Sequence, residues 1–175
     1  MPVPEFITEI RSKIGHDPLW LPGVTAVVLR DSTTDSVWAA PEVLLVRRSD
    51  NGAWTPVTGI SEPGEDPDVT AVREVAEETG LTATVEALVG VGATDTITHV
   101  NGDVATYLSV VMRLSVVGDD TPVVGDDEST DVGWFPVTHL PVDKPRMRMA
   151  IADAVAQRKH PQTFVPRLGF HKRQR

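Results

Sequence analysis

The sequence predicts an α/β domain in which helices bracket a mixed β-sheet. Three observations carry the prediction. Two amphipathic segments with helix start and stop residues lie near the ends of the chain, one more lies in the middle, and five apolar runs of strand length fall between them. With 175 residues and 41% hydrophobic content, the chain suits one domain with a proper core plus extensions at its ends.

Taken in order, residues 4–15 read as a short helix: Pro4 stands near its start, Phe6, Ile7, Ile10 and Ile14 form an apolar stripe, and Gly15 stops it. Gly23–Arg30 (GVTAVVLR) and Val43–Arg47 (VLLVR) read as strands, separated by a polar turn around Asp31–Asp35 and a less regular Val37–Glu42. The next helix has Asp66 as N-cap, Pro67 as its first residue and Gly80 as a left-handed terminator. Its expected apolar face is Val69, Val72, Val75 and Ala76, and its polar face is Glu74, Glu77 and Glu78. Thr82–Ala93 and Val104–Val117 are strands joined across Asn101-Gly102, a strong hairpin signal. Residues 118–129, rich in Gly, Asp and Ser, form a loop before a strand at Thr130–Phe135. Pro145 opens a last helix in which Met147, Ile151, Ala154 and Val155 keep the apolar stripe until about Arg158. The organisation expected is a helical extension over 1–22, a main domain over 23–160 and a basic tail over 161–175.

Formal net charge is −9, with acids gathered in Glu62–Glu78 and Asp119–Asp131 and none after Asp153. An acidic surface argues against a stable nucleic-acid partner, because phosphate attraction needs a basic one. The tail, with Arg158, Arg167, Lys172, Arg173 and Arg175, has charge for a phosphate or a neighbouring subunit, so a homodimer stays open; its simpler reading is a solvated terminus. The lack of Cys fits a reducing cytoplasm, and neither a signal peptide nor an apolar run of membrane-spanning length is evident. A soluble cytoplasmic protein without a membrane partner is expected.

The acidic helix is the chemical signal. Carboxylates at i, i+3 and i+4 cost only about 0.2–0.5 kcal/mol per pair on a solvated helix. In a cleft of effective dielectric about 20, the same pairs at about 6 Å cost nearly 3 kcal/mol each, which a hard divalent cation relieves. Carboxylate ligands without Cys point to Mg²⁺, with Mn²⁺ as the alternative.

From Gly59 to Leu81 the chain reads GISEPGEDPDVTAVREVAEETGL, and this stretch resembles the Nudix box, G-x5-E-x7-R-E-U-x-E-E-x-G-U with U a bulky aliphatic residue. Gly59, Glu65, Arg73, Glu74, Val75, Glu77, Glu78, Gly80 and Leu81 fill every specified position. The resemblance implies the family's α/β/α sandwich and Mg²⁺-dependent water attack on the diphosphate linkage of a nucleoside diphosphate derivative. A small nucleotide is then the substrate. It implies Glu77 and Glu78 as metal ligands and Glu74 as a further ligand or the general base. Arg73 would orient the carboxylates through charge-assisted hydrogen bonds.

Gly59 permits a close backbone approach to a ligand. Many relatives carry Gly before it, where this chain has Thr58. Glu128, six residues before Trp134, matches an acid that faces the metal cluster in relatives, and is a candidate fourth ligand or base; otherwise it is a loop charge among Asp126, Asp127 and Asp131. Arg47 and Arg48 end a strand before the box and are candidates for phosphate contact. Trp54 and Trp134 are candidates for base stacking or plain packing, and His99 for a lesser role at the hairpin.

Substrate choice is not legible in the box. Where ADP-ribose hydrolases carry a downstream Pro this chain has Asp95 and Thr96, and the Tyr typical of dinucleoside polyphosphate enzymes has no counterpart before Tyr107. Nucleoside triphosphates, oxidised ones included, and nucleotide sugars both stay open. The alternative is a nucleotide-sensing Nudix module that binds without turnover, although such modules usually lose box carboxylates. Isomerase chemistry on a diphosphate ranks last for want of the Cys such relatives use.

Overall fold

The computed structural model describes residues 4–33 and 39–170. At its centre, β1 (Leu19–Arg30) runs parallel to β7 (Val104–Val116), in register from Leu19 opposite Ala105 to Val28 opposite Leu114. The other edge of β1 is shared. Gly23–Ala26 pair antiparallel with β4 (Val57–Ile60), while Leu29 and Arg30 pair with β2 (Glu42–Arg48). β3 (Trp54–Thr55) and β8 (Ser129–Pro136) flank β2 on its two sides. Beyond β7 come β5 (Ala83–Ala93), antiparallel to it, and then β9 (Arg167–Leu168), with β6 (Ile97–Thr98) folded back onto the start of β7.

Helices cover both faces of this mixed sheet, as the sequence predicts. α2 (Pro67–Thr79) packs over Val24, Ala26, Val28, Leu44, Val46 and Leu114, while α3 (Pro145–Lys159) packs over Val27, Leu29, Val43, Leu45 and Val111. Successive residues of β1 and β2 thus enter opposite cores, which is why both strands are almost continuously apolar instead of alternating. α1 (Glu5–Ile14) lays Ile7 and Phe6 against Leu21, Ala105 and Tyr107.

Three sequence expectations need correction. β1 starts at Leu19, so the boundary drawn between residues 22 and 23 cuts a paired strand; Pro22 interrupts the sequence signal, but the residues around it pair with β7 all the same. In the tail, Arg167 and Leu168 pair with β5 and Arg167 forms a two-pronged salt bridge with Asp153, so this part of the tail belongs to the sheet. Lys172, Arg173, Arg175 and the irregular start at Val37 lie outside the described residues.

The third correction concerns the face of α2. Its buried residues are Thr70, Ala71, Glu74, Val75, Glu78 and Thr79, whereas Val69 is 54% exposed and Ala76 is exposed. Ala71, Glu74, Val75 and Glu78 follow i, i+3, i+4, i+7 spacing and so share one stripe. Two carboxylates therefore lie on the inward face, at the end of the sheet nearest β4, and only Glu77 stays half-exposed.

Candidate active site

The caps of α2 set where its carboxylates sit. Asp66 is extended and Pro67 occupies the first turn, and Gly80 adopts φ 69° while its N–H donates to the carbonyl of Ala76. The two carbonyls beyond are met by the 118–128 loop, with Gly125 N–H donating to Glu78 O (3.0 Å) and Val123 N–H to Thr79 O (2.9 Å). A Cβ on Gly125 would overlap the Glu77 carbonyl, so glycine is what lets the loop come this close. The loop is also tied to the sheet: Arg30 bridges Glu42 and Asp120 at 2.8 Å and lies over Trp134, whose Nε1 donates to Asp120 O. Its last residues bring Glu128 to the mouth of the site.

Arg73 organises the box. Nε and Nη2 donate to the two oxygens of Glu65 (2.8 and 2.9 Å), Nη1 donates to Glu74 (2.9 Å) and Glu77 (3.0 Å), and Nη2 also reaches the Ile60 carbonyl (3.2 Å). Glu65 further accepts from Thr70 Oγ1 and the Glu62 N–H. This guanidinium, helped by those two donors, holds the Glu65 carboxyl down at about 2. The paired acids raise Arg73 still higher, so it stays charged throughout.

Glu74 and Glu78 have the opposite electrostatics. They are only 5% and 6% exposed, and burial is the main cause that pushes them up to about 7 and about 8. For Glu74 the Arg73 charge works against this rise, and for Glu78 the charges of Glu74, Asp126 and Glu128 add to it. Ser129 Oγ donates to Glu78 at 3.3 Å and offsets a little. Glu74 lies against Gly59 of β4, where an added Cβ would overlap its carboxyl.

A cleft of about 400 Å³ opens in front of these groups. Its lining includes Glu74, Glu128, Gly59 and Thr58, then Arg48, Asp50, Lys144 and Arg146, and also His99 and Tyr107, which share a 3.0 Å hydrogen bond. Burial raises the Tyr107 hydroxyl above its usual range.

The structure thus brings Glu74, Glu128, Arg48 and Gly59 to the cleft, and sets Glu77 and Glu78 behind it on the same helix. Arg47 is exposed and donates to the Gly52 carbonyl; adjacent strand residues face opposite ways, so only Arg48 of the pair turns inward. Trp54 packs edge-on against Phe135 (4.7 Å) and Trp134 under Arg30, both outside the cleft.

Sequence reasoning passed over Asp50, Lys144, Arg146 and Ser109. The cations flanking Pro145 at the start of a helix were the one legible signal for two of them. Among the described residues no three His, Asp or Glu side chains are gathered as a ready cation cage, since Arg73 holds Glu74 and Glu77 while Ser129 holds Glu78. In chemistry the donors fit a hard divalent cation: they are oxygens, and two are buried where their negative charge lacks solvation. None of the described helices is long and apolar enough to cross a membrane.

A mixed β-sheet clamped between helices, with an Arg-bound carboxylate helix beside a glycine strand, is the frame that carries the box residues. The family profile described as NUDIX domain matches residues 20–157, and the chain belongs to that family. It is accordingly an enzyme of the pyrophosphohydrolase class. Among solved structures, it is similar to a UDP-X diphosphatase (20% identity, 95% of this chain and 74% of that one covered, TM-score 0.63). It is also similar to an ADP-ribose pyrophosphatase from Streptococcus suis (16% identity, 85% and 98% covered, TM-score 0.63). A third likeness is to a MutT protein from Methanosarcina mazei (22% identity, 82% and 98% covered, TM-score 0.61). At these identities the likenesses establish the fold. No curated protein matches the sequence.

Proposed function

We propose that the protein is a Mg²⁺-dependent hydrolase that cleaves the diphosphate linkage of a nucleoside diphosphate derivative by attack of water at phosphorus. The observation that carries this reading is Glu74: a buried carboxylate raised to about 7, held by Arg73 and Gly59, at the wall of a cleft that Glu128 also lines. Glu74, Glu77, Glu78 and Glu128 would hold the cation, Mn²⁺ being an alternative. When bound, it neutralises phosphate oxygens and lowers the pKa of water.

The chain's own residues supply the rest. Arg73 fixes the orientation of Glu65, Glu74 and Glu77, so the carboxylates do not have to be ordered during the reaction. Arg48 at the cleft contacts phosphate oxygens, and Glu74 or Glu128 takes the proton from the attacking water. UDP-X, ADP-ribose and nucleoside triphosphates are the substrate types to test first, since the structural relatives include a UDP-X diphosphatase and an ADP-ribose pyrophosphatase and the box leaves the choice open. We place the hydrolase domain at about residues 19–168, in the cytoplasm, with a homodimer as one assembly open to it and with neither a membrane nor a stable nucleic-acid partner.

The test is incubation of pure protein with Mg²⁺ and a panel of NTPs, oxidised dNTPs, ADP-ribose and other nucleotide sugars, with products identified by mass. A nucleotide and a phosphorylated remainder are expected, and EDTA should abolish both. Tight binding of a nucleotide with no product would instead favour the sensing module.

A further inference from the structure

Besides its carboxylates, the cleft is lined by three cations, Arg48, Lys144 and Arg146, of which the chemistry above uses only Arg48. Arg48 is bound two-pronged to Asp50 (2.9 and 2.8 Å), and Lys144 is close enough for its charge also to bear on Asp50. Arg48 is thus paired in part from within, and Lys144 is exposed, so water solvates its charge. Arg146, in the first turn of α3, is placed differently: it is half-buried, Nη1 donates to the neutral Ser109 hydroxyl at a long 3.4 Å, and the Phe170 ring lies 5.6 Å away. Burial lowers its pKa from the usual range while leaving it charged, and the acid that acts on it, Asp95, is outside the cleft lining.

A guanidinium in that setting needs an anion. A substrate whose diphosphate sits at the carboxylates already has its charge met there by the cation, so what Arg146 meets is negative charge further along the ligand. Its planar fork of donors suits phosphate oxygens. A neutral sugar ring at that place would desolvate the guanidinium without answering its charge, which penalises that class of substrate.

We propose that Arg146 is the specificity-determining residue for a third phosphate, so that the cleft selects nucleoside triphosphates over nucleotide sugars. This deepens the hydrolase reading and rests on it for turnover, though the binding preference can be measured without any hydrolysis.

The experiment has a binding arm and a turnover arm. In buffer with saturating Mg²⁺, calorimetric titration of the protein with inorganic tripolyphosphate and with pyrophosphate should show at least about tenfold tighter binding of the former, the scale of one charge-assisted contact. Arg146→Met, which keeps the apolar stem, should collapse that ratio to about one at an unaltered melting temperature, and Arg146→Lys should retain part of it. With Mg²⁺, the ratio of kcat/KM for a nucleoside triphosphate over a neutral nucleotide sugar should fall in the same order. An equal ratio in wild type and Arg146→Met overturns the proposal. So does a nucleotide sugar bearing a carboxylate that is turned over as well as the triphosphate with the same dependence on Arg146, since the anion read would then not be a third phosphate. Absence of turnover on every nucleotide would sink the hydrolase reading alone, and the tripolyphosphate ratio would still decide the role of Arg146.

Discussion

Gly59 and Glu74 are complementary: the glycine of one strand is the space that the helix carboxylate fills. The pair joins two elements, one a strand that borders the cleft and one the helix that carries the acids. Both are positions of the same motif, and their contact explains why the motif demands the smallest residue so far ahead of its acids.

Gly59→Ala should therefore displace the Glu74 carboxyl from the cleft wall. We expect kcat to fall by at least about a hundredfold and the protein to be destabilised by about 1–3 kcal/mol, as overpacking does. Steady-state kinetics and denaturant melts measure both. Wild-type kcat in this variant would mean that the position of Glu74 is unimportant for turnover.

Glu78→Gln should lower kcat by about a hundredfold or more through loss of a cation ligand. Its effect on the metal-free fold should be small, for a reason other than surface exposure: Glu78 is buried, and its pKa of about 8 means that it is largely protonated at neutral pH, so the amide replaces a group that is already neutral. Thermal melts in EDTA check this, and a large loss of stability there would contradict it.

Metal-free protein should lose stability as pH rises. Glu74 and Glu78 have folded pKa values raised to about 7 and about 8 against about 4.3 for an unfolded Glu, so the folded state binds more protons than the unfolded one between these limits. The penalty is absent below about pH 4, grows through the interval and is complete above the folded values. Melting temperature in EDTA should fall from pH 5 to pH 8.5, and the fall should be smaller in Mg²⁺. A flat profile in EDTA would refute the strained burial of these two acids.

Arg73→Lys should be costly despite keeping the charge, because a lysine cannot reproduce the two-pronged contact with Glu65 while also reaching Glu74 and Glu77. Glu65 is lowered to about 2, so its contribution is present above the unfolded value near 4.3 and is lost as pH falls towards 2. Acid unfolding of Arg73→Lys should accordingly begin at higher pH than that of wild type, by circular dichroism.

Glu128→Gln tests the cleft acid supplied by the loop. We expect kcat to fall by roughly 10²–10⁴-fold with little change in KM at saturating Mg²⁺. Asp127→Asn should be nearly neutral. Asp126→Asn is the less clean control, because Asp126 Oδ1 accepts the Glu128 N–H and its charge acts on Glu78, although an Asn oxygen can keep that hydrogen bond. Equal kinetics for all three variants would return Glu128 to an ordinary loop charge.

The sequence by itself determined the α/β class, the bounds of α2 from Asp66, Pro67 and Gly80, the hairpin at Asn101-Gly102, and the identity of the box acids with Arg73. These are local matters: caps, turn residues and motif spacing act over a few positions along the chain. Which way α2 faces was decided only by tertiary structure: Val72 and Val75 of the expected apolar face do pack on the core, but Ala71, Glu74 and Glu78 turn inward with them to meet Gly59 and Ser129, while Val69 and Ala76 stay exposed. The same holds for Arg48 over Arg47, whose inward turn depends on strand register, and for Arg146, which reaches the cleft only because α3 covers the far face of the sheet with its first turn at the rim. Long-range packing assigns each of these, and spacing along one chain does not encode it.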